Sequence, residues 1–234
     1  MNDSTEPRET TRRPTRVSTP LAHALAAAGD RWTLAIALEL APGRTRLAQL
    51  RRRLPGVSTG VLDRHVGHMV ALGLITRQRF REMPPRVELE LTEPGIELVP
   101  IAHALARWGV RRMWSEPGAC ERVDVAALLR MLPVLLADVT DLPDGSIEAV
   151  LEEFGESTCH HFRVEGGRLA LPGDGADGGT DVDAGVDEPA STVVRGGRDA
   201  WIAALGPLAD PSQLEISGDS GLATRIVAAL PRAW

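Results

Sequence analysis

The sequence contains no lysine and no tyrosine, and only two of its 234 residues are cysteines. Cys120 and Cys159 are too few for a disulfide framework and too far apart for a zinc motif, so we expect both to be reduced. No apolar run approaches the roughly 18 residues of a membrane span, and the polar start lacks an apolar secretion segment. These absences predict a cytoplasmic protein without membrane contact, structural disulfide or cofactor.

Charge is divided unevenly along the chain. Residues 1–120 contain 18 arginines and 12 carboxylates, whereas residues 121–234 contain 8 arginines and 20 carboxylates, so the halves carry formal charges of +6 and −12. Between positions 44 and 81, nine arginines face a single carboxylate, Asp63. This clustering predicts binding to a polyanion. The alternative is a solvated arginine face without a ligand.

Hydrophobic periodicity predicts a series of short helices after a polar arm at residues 1–18. Segments 21–29 and 33–40 are the first two, and segment 47–54 is a third that ends at Pro55-Gly56. Ser58 is a natural N-cap for a fourth helix running to Gly73. The expected apolar face of that helix consists of Val61, Leu62, Val66, Met69 and Val70. The third and fourth helices, joined by a tight turn, predict a helix-turn-helix whose second member reads DNA.

Two alternating segments, LITRQRFR and RVELEL, follow Gly73 and predict a two-stranded wing with Met83-Pro84-Pro85 at its tip. Thr92 then caps a long helix, and Leu98, Ile101, Leu105 and Trp108 recur in it at helical spacing. Because the small domain does not need this stripe for its own core, the stripe predicts pairing with a second copy. A homodimer would match a two-fold symmetric double-stranded DNA operator.

The expected DNA contacts come from three places: the helix before the turn, the start of the recognition helix, and the wing. They are Arg44, Arg46, Arg51, Arg52, Ser58, Thr59, Gly60, Asp63, Arg64, His65, His68, Arg79, Arg81 and Arg86.

Residues 21–109 resemble the HxlR-type winged helix-turn-helix regulators. The resemblance is carried by Gly29-Asp30-Arg31-Trp32-Thr33, by Leu54-Pro55-Gly56-Val57-Ser58, by Ala71-Leu72-Gly73-Leu74-Ile75, by Pro84-Pro85-Arg86-Val87-Glu88 and by Leu91-Thr92-Glu93. It implies a homodimer with one recognition helix per subunit in a major groove, and it implies that Trp32 is a core residue.

The sequence departs from this family in two places. Many members sense oxidants through a Cys-Pro pair before the first helix, where this chain has Thr19-Pro20, so thiol sensing at that position is excluded. The recognition helix carries Gly60 and Asp63 where members often have arginine and a small polar residue. The bases that are read therefore do not follow from the resemblance.

The second half, after a seam at residues 110–122, predicts an α+β domain. Asp124 caps a helix interrupted at Pro133, strands are expected at 146–154, 159–164, 168–171, 191–196 and 213–217, and helices at 198–206 and 220–230. Phe162-x-Val164-x-Gly166-Gly167, Asp199-Ala200-Trp201 and Leu214-x-Ile216-x-Gly218-Asp219 resemble the sterol carrier protein-like fold. That resemblance implies an apolar effector cavity, whose expected lining is Phe154, Phe162, Trp201, Ile202 and Leu205.

The same apolar residues are equally compatible with a filled core. The acidic stretch 172–189 lacks the glycine and glutamate spacing of a calcium loop, and His160 and His161 point to opposite faces of a strand, so no metal site is expected. Ser157, His160 and Asp199 lack a nucleophile elbow, and we expect no enzymatic activity.

The sequence thus predicts a mainly α winged helix-turn-helix domain at residues 19–114, followed by an α+β domain at residues 123–234. The expected function is a ligand-responsive transcriptional regulator, specifically a repressor, that binds DNA as a homodimer and responds to a hydrophobic small molecule. The alternative is a regulator controlled by protein contacts through its acidic C-terminal domain, with no small-molecule effector.

Overall fold

The structure is a computed structural model that describes residues 18–81, 86–115, 117–118, 121–171, 190–206 and 210–229. The N-terminal half is mainly helical. In chain order its elements are α1 (Pro20–Ala28), α2 (Thr33–Leu40), β1 (Thr45–Arg46), α3 (Leu47–Arg53), α4 (Thr59–Ala71), β2 (Ile75–Phe80), β3 (Arg86–Leu91), α5 (Glu93–Ile96) and α6 (Leu98–Met113).

Local chemistry sets the ends of these helices. Thr19 caps α1 by accepting a hydrogen bond from the Ala22 amide at 3.1 Å, and Pro20 supplies the fixed φ of a first helical position. Helix α4 ends before Gly73, whose φ of +70° is left-handed and favours glycine. Ser58 precedes α4 as expected, although its side chain makes no capping hydrogen bond.

The wing forms as the alternation predicts. Strands β2 and β3 pair antiparallel from Ile75 opposite Leu91 to Phe80 opposite Arg86. The expected tip, Met83-Pro84-Pro85, lies outside the described residues. The sequence did not indicate β1, whose two residues Thr45 and Arg46 pair with Leu89 and Glu88 on the other edge of β3.

The helix expected after Thr92 is broken in two. Thr92 caps α5 by accepting a hydrogen bond from the Gly95 amide, and the chain turns at Glu97 before α6 begins. Pro100 explains the break, because it has no amide to donate to the Ile96 carbonyl four residues earlier and its ring crowds that carbonyl. The prediction for α4 also needs one correction. Leu62, Val66 and Met69 are buried, but Val70 is exposed, since it lies off the narrow face that packs on the core.

In the described part of the C-terminal half, helices pack on a five-stranded sheet of order β6-β5-β4-β7-β8, in which only β4 and β7 are parallel neighbours. The elements are α7 (Val125–Arg130), α8 (Leu132–Leu135), β4 (Gly145–Glu153), β5 (Glu156–Glu165), β6 (Arg168–Ala170), β7 (Thr192–Gly197), α9 (Arg198–Leu205), β8 (Glu215–Gly218) and α10 (Ser220–Ala229). Asp124 caps α7 as expected, by accepting from the Ala127 amide at 2.9 Å.

Among the described residues, two clusters of buried apolar side chains form the cores of the structure. One lies among α2, α3, α4 and the wing, with Ile36, Leu50, Leu62 and Val66 fully buried. The other lies between the five-stranded sheet and α7 to α10. Helix α6 contributes to both, because Leu98 packs against the first and Val110 is buried in the second. The helix is therefore the continuous link between the two cores.

Candidate nucleic-acid interface

Helices α3 and α4 form a helix-turn-helix around a shared apolar seam. Leu47, Leu50 and Leu54 of the first helix and its end are buried in the same cluster as Leu62 and Val66 of the second. A Cβ added at Gly56 in the turn would lie 3.4 Å from the Trp32 ring, so the turn passes close to that partly buried indole. This packing fixes how α4 projects from the core.

Asp30 ties the start of α2 to the recognition helix. Its Oδ1 accepts hydrogen bonds from the amides of Trp32 (2.8 Å) and Thr33 (3.0 Å), and the Thr33 hydroxyl donates to Oδ2. Burial of Asp30 raises its pKa, but these hydrogen bonds and His65 outweigh burial and leave the pKa below its usual value. The Nδ1 of His65 on α4 lies 3.2 Å from Oδ1.

This contact changes the role of His65. Its side chain is only 15% exposed and faces Asp30, so it lies on the inner side of the recognition helix. We therefore leave His65 out of the proposed DNA contacts. A histidine at that helical position gives no sign of the difference in the sequence, because its partner is 35 residues earlier in the chain.

The outer face of α4 is open. Thr59, Gly60, Arg64, Gly67 and His68 are exposed, and Ser58 is exposed at the start of the helix. Asp63 is partly exposed and accepts a hydrogen bond from the Arg51 guanidinium at 3.0 Å. Asp63, the one carboxylate between positions 44 and 81, is therefore neutralised by an arginine of α3, which lowers its repulsion of phosphate.

Nine of the ten arginines between positions 44 and 86 divide into two groups, and the tenth, Arg77, is half-buried on β2. Arg44 pairs with Glu90, Arg51 with Asp63, Arg53 with Glu39, and Arg86 with Glu88. Among the described residues, no carboxylate pairs with the second group, all of which are exposed: Arg46, Arg52, Arg64, Arg79 and Arg81. The second group spans β1, α3, α4 and the wing, and it supplies uncompensated positive charge.

Only two of the five residues expected to line an effector cavity, Phe162 and Trp201, line the same cavity in the structure. Phe154 is 86% exposed with a φ of +56°, so its assignment to the lining is wrong. It sits with Gly155 (φ +82°) in the tight turn between β4 and β5, which directs its ring into solvent. Ile202 packs on the C-terminal core and Leu205 is fully buried in it, but neither is among the described residues that line the cavity.

Phe162 and Trp201 do line an internal cavity, together with Leu132, Ile147, Ala149, Leu169, Val194 and Ile226. The cavity measures about 20 Å³, room for about one water molecule. Small-molecule sites typically measure about 300–1,000 Å³. The Trp201 indole donates a hydrogen bond to the Val150 carbonyl at 3.0 Å, which satisfies its polar atom inside the core.

The other residues that the sequence singled out are distributed as follows. His160 is buried and His161 half-buried on adjacent positions of β5, with Cys159 half-buried beside them. In the part of the chain that the structure describes, no three His, Cys, Asp or Glu side chains lie close enough to hold a metal ion. Cys120 and the acidic stretch 172–189 lie outside the described residues. No described helix is long and apolar enough to cross a membrane.

Two helices that meet across a tight turn, followed by an antiparallel hairpin beside an arginine-rich face, define a winged helix-turn-helix DNA-binding protein. The model of the HxlR-like helix-turn-helix family matches residues 27–117. The chain is 34% identical over 102 residues to an uncharacterised HTH-type transcriptional regulator of Synechocystis sp., which covers 44% of this chain and 74% of that protein. The chain therefore belongs to the HxlR-like family of transcriptional regulators.

Two further proteins are similar to part of this chain. An uncharacterised HTH-type transcriptional regulator of Methanothermobacter thermautotrophicus is 37% identical over 81 residues, which is 35% of this chain and 62% of that protein. A solved structure of a putative MarR-family transcriptional regulator from Porphyromonas gingivalis is 28% identical with a TM-score of 0.41, covering 44% of this chain and 100% of its own. Both relatives matched by sequence are named as HTH-type transcriptional regulators.

Proposed function

We propose that this chain is a transcriptional repressor that binds operator DNA as a homodimer, with α4 in a major groove and the wing along the flanking backbone. The main support for this proposal is a set of exposed arginines that have no carboxylate partner among the described residues, at positions 46, 52, 64, 79 and 81. The residues proposed to face the groove are Ser58, Thr59, Gly60, Asp63, Arg64 and His68. The paired arginines 44, 51 and 86 are proposed to contribute further contacts to the DNA backbone. Repression would follow from occupation of promoter DNA, and a reporter under the selected operator would test its sign.

We expect binding to depend steeply on salt, because each arginine that contacts a phosphate releases condensed counterions. If a dimer makes on the order of 6–10 phosphate contacts, affinity should fall by about 10³–10⁵-fold between 50 and 200 mM salt. The measurement is fluorescence anisotropy on a duplex that the full-length chain selects from a random pool.

Two substitutions make this test specific to the face. Arg52→Gln should weaken binding to all duplexes and reduce the salt slope by about one, as expected for loss of a phosphate contact. Arg195→Gln removes the same charge from an exposed pair with Glu152 on the distant sheet and should change neither quantity. A flat salt dependence of the wild type would contradict the proposal.

Helix α6 supports the homodimer. Ile101, Leu105 and Trp108 are 55%, 52% and 53% exposed, whereas Leu98 at the start of the stripe packs on the N-terminal core. Exposed large apolar side chains at helical spacing favour burial against another surface. A second copy that presents the same stripe gives the two-fold arrangement that two major-groove half-sites require.

For the C-terminal half, we propose the sterol carrier-like fold and a hydrophobic effector that enters around Phe162 and Trp201. The cavity of about 20 Å³ means that the surrounding core must widen to admit one. The small cavity also favours a second candidate, control by a protein partner at the acidic half. A thermal-shift screen of the full chain with hydrophobic small molecules distinguishes them. A compound supports the effector if it shifts the melting temperature saturably, and if it changes operator affinity by the same factor by which DNA changes the affinity for the compound. If no compound does so, control by a protein partner is supported.

A further inference from the structure

A largely buried ion-pair cluster joins the two halves of the chain. Glu39 on α2 accepts two hydrogen bonds at Oε1 from Arg130 on α7, from Nε at 3.2 Å and from Nη2 at 2.9 Å. The Nε of Arg53 on α3 lies 4.0 Å from the other carboxylate oxygen. All three side chains are between 11% and 15% exposed. One carboxylate thus holds an arginine from each half.

Arg130 also contacts the backbone of the helix-turn-helix. Its Nη2 donates a hydrogen bond to the Arg53 carbonyl at 3.1 Å. Arg53 is the last residue of α3, and the carbonyls in the last turn of a helix have no partner within the helix. A side chain from the C-terminal half therefore satisfies the end of α3, one residue before the turn that leads to α4.

Arg130 is itself held by the C-terminal core. The residues before it, Leu128 and Leu129, are buried in that core, and α7 packs on β4, β5 and α9. His160 on β5 lies close enough to this cluster that Arg130 and Arg53, after burial itself, lower its pKa. The position of α3 is thus connected to the sheet of the other half through one guanidinium.

Stability alone is a weak reason for such a cluster. The cost of removing charges from water commonly equals or exceeds their attraction, so buried ion pairs contribute little net folding energy. What the cluster does fix is geometry, because the arginine donates to Glu39 and to the Arg53 carbonyl from a planar group.

We propose that Arg130 is a positioning residue for DNA binding: it sets the end of α3, and through the turn the pose of α4, so that the C-terminal half controls operator affinity. This inference rests on the proposed function. It predicts that Arg130→Gln in the full chain lowers affinity for the selected duplex by about 2- to 30-fold. Affinity for an unrelated duplex and the salt slope should stay unchanged, because no phosphate contact is lost.

The controls separate position from charge and from folding. Arg195→Gln removes an arginine from the same half and should leave the affinity for both duplexes unchanged. Arg130→Lys keeps the charge but not the planar set of donors, and it should also lose affinity for the selected duplex. This second variant decides the matter if Arg130→Gln does not fold by circular dichroism.

Three results would overturn the inference. They are full affinity in Arg130→Lys, an equal loss on both duplexes with a salt slope reduced by about one, and a lower melting temperature with unchanged affinity. A wild-type chain that enriches no duplex from the random pool contradicts the proposed function itself, and that outcome is recognisable before any variant is measured.

Discussion

His160 is a buried histidine in surroundings that disfavour its charged form. It lies in the core face of β5, and neither ring nitrogen has a hydrogen-bond partner within the described residues. Burial, and then the guanidinium groups of Arg130 and Arg53 and the neighbouring His161, lower its pKa from 6.5 to about 4. The imidazole is therefore neutral in the folded chain at pH 7.

This depressed pKa makes stability dependent on pH. Between about pH 6.5 and 4 the unfolded chain binds a proton at this histidine and the folded chain does not. The free energy of unfolding is therefore at its full value above about pH 6.5, and it falls as the pH drops towards 4. For a pKa of about 4, the loss at pH 4 is about 3 kcal/mol. Denaturant unfolding at several pH values measures this fall. Between pH 6.5 and 4, His160→Leu should lose about 3 kcal/mol less free energy of unfolding than the wild type.

His161→Leu is the matched control, since it changes the adjacent residue on the opposite face of the same strand. It should retain most of the wild-type fall in stability between pH 6.5 and 4, because His161 is the last of the causes that lower the pKa of His160. If His160→Leu and the wild type lose stability in parallel, the histidine is accessible to protons in the folded state and the assignment of its environment is wrong.

At the scale of elements, the recognition helix has a feature that folding does not explain. A Cβ added at Gly67 would meet no atom within 4 Å, so packing does not require glycine in this exposed position. Glycine inside a helix costs about 1 kcal/mol relative to alanine. Glycine would allow a close approach of this helix to another molecule, which agrees with the proposed position of α4 in a groove.

Gly67→Ala should therefore raise the free energy of unfolding by up to about 1 kcal/mol and at the same time weaken operator binding. We expect the weakening to be about 1 kcal/mol or more, because a displaced helix loses base contacts. Denaturant unfolding and anisotropy on the selected duplex measure the two effects. The gain in stability rules out unfolding as the cause, and unchanged binding would show that this face of α4 does not approach DNA closely.

Sequence patterns predicted most elements but not all of their breaks. The helices before Gly29, Pro42 and Pro55 end where punctuating residues stand in the chain. The interruption at Pro133, which separates α7 from α8, was also predicted. The break at Glu97 before Pro100 was not, although the same cause applies there: a proline removes the hydrogen bond to the carbonyl four residues earlier. Strand β1 has only two residues, which is too short for an alternating pattern to appear in the sequence.

The assignment of Phe154 to the cavity lining was wrong for a related reason. The alternation of segment 146–154 continues through this residue, yet the chain turns there with Phe154 and Gly155 both at positive φ. Phenylalanine is uncommon in the left-handed region, so turn propensity gave no warning. The prediction that Phe154 lines a cavity failed because the alternating pattern does not show at which residue the strand ends.

At the scale of the whole molecule, the sequence could indicate the arginine-rich face but not which arginines are free. Asp63 and Arg51 are 12 residues apart, and Glu39 and Arg130 are 91 apart. Such pairs exist only after the chain has folded, so composition cannot assign them. The junction between the halves was therefore absent from the sequence prediction, although it connects the recognition elements to the rest of the chain.

The dimer is the prediction with the widest reach, because it determines how many recognition helices engage one operator. Leu105→Asp places a charge in the centre of the exposed α6 stripe, and burying an unpaired carboxylate in an apolar interface is costly. Analytical ultracentrifugation should find the wild type as a dimer and this variant as a monomer with lower operator affinity. Phe154→Asp changes an equally apolar, more exposed residue away from α6 and should leave the dimer intact. If Leu105→Asp still sediments as a dimer, the two copies meet elsewhere and the half-site spacing is not set by α6.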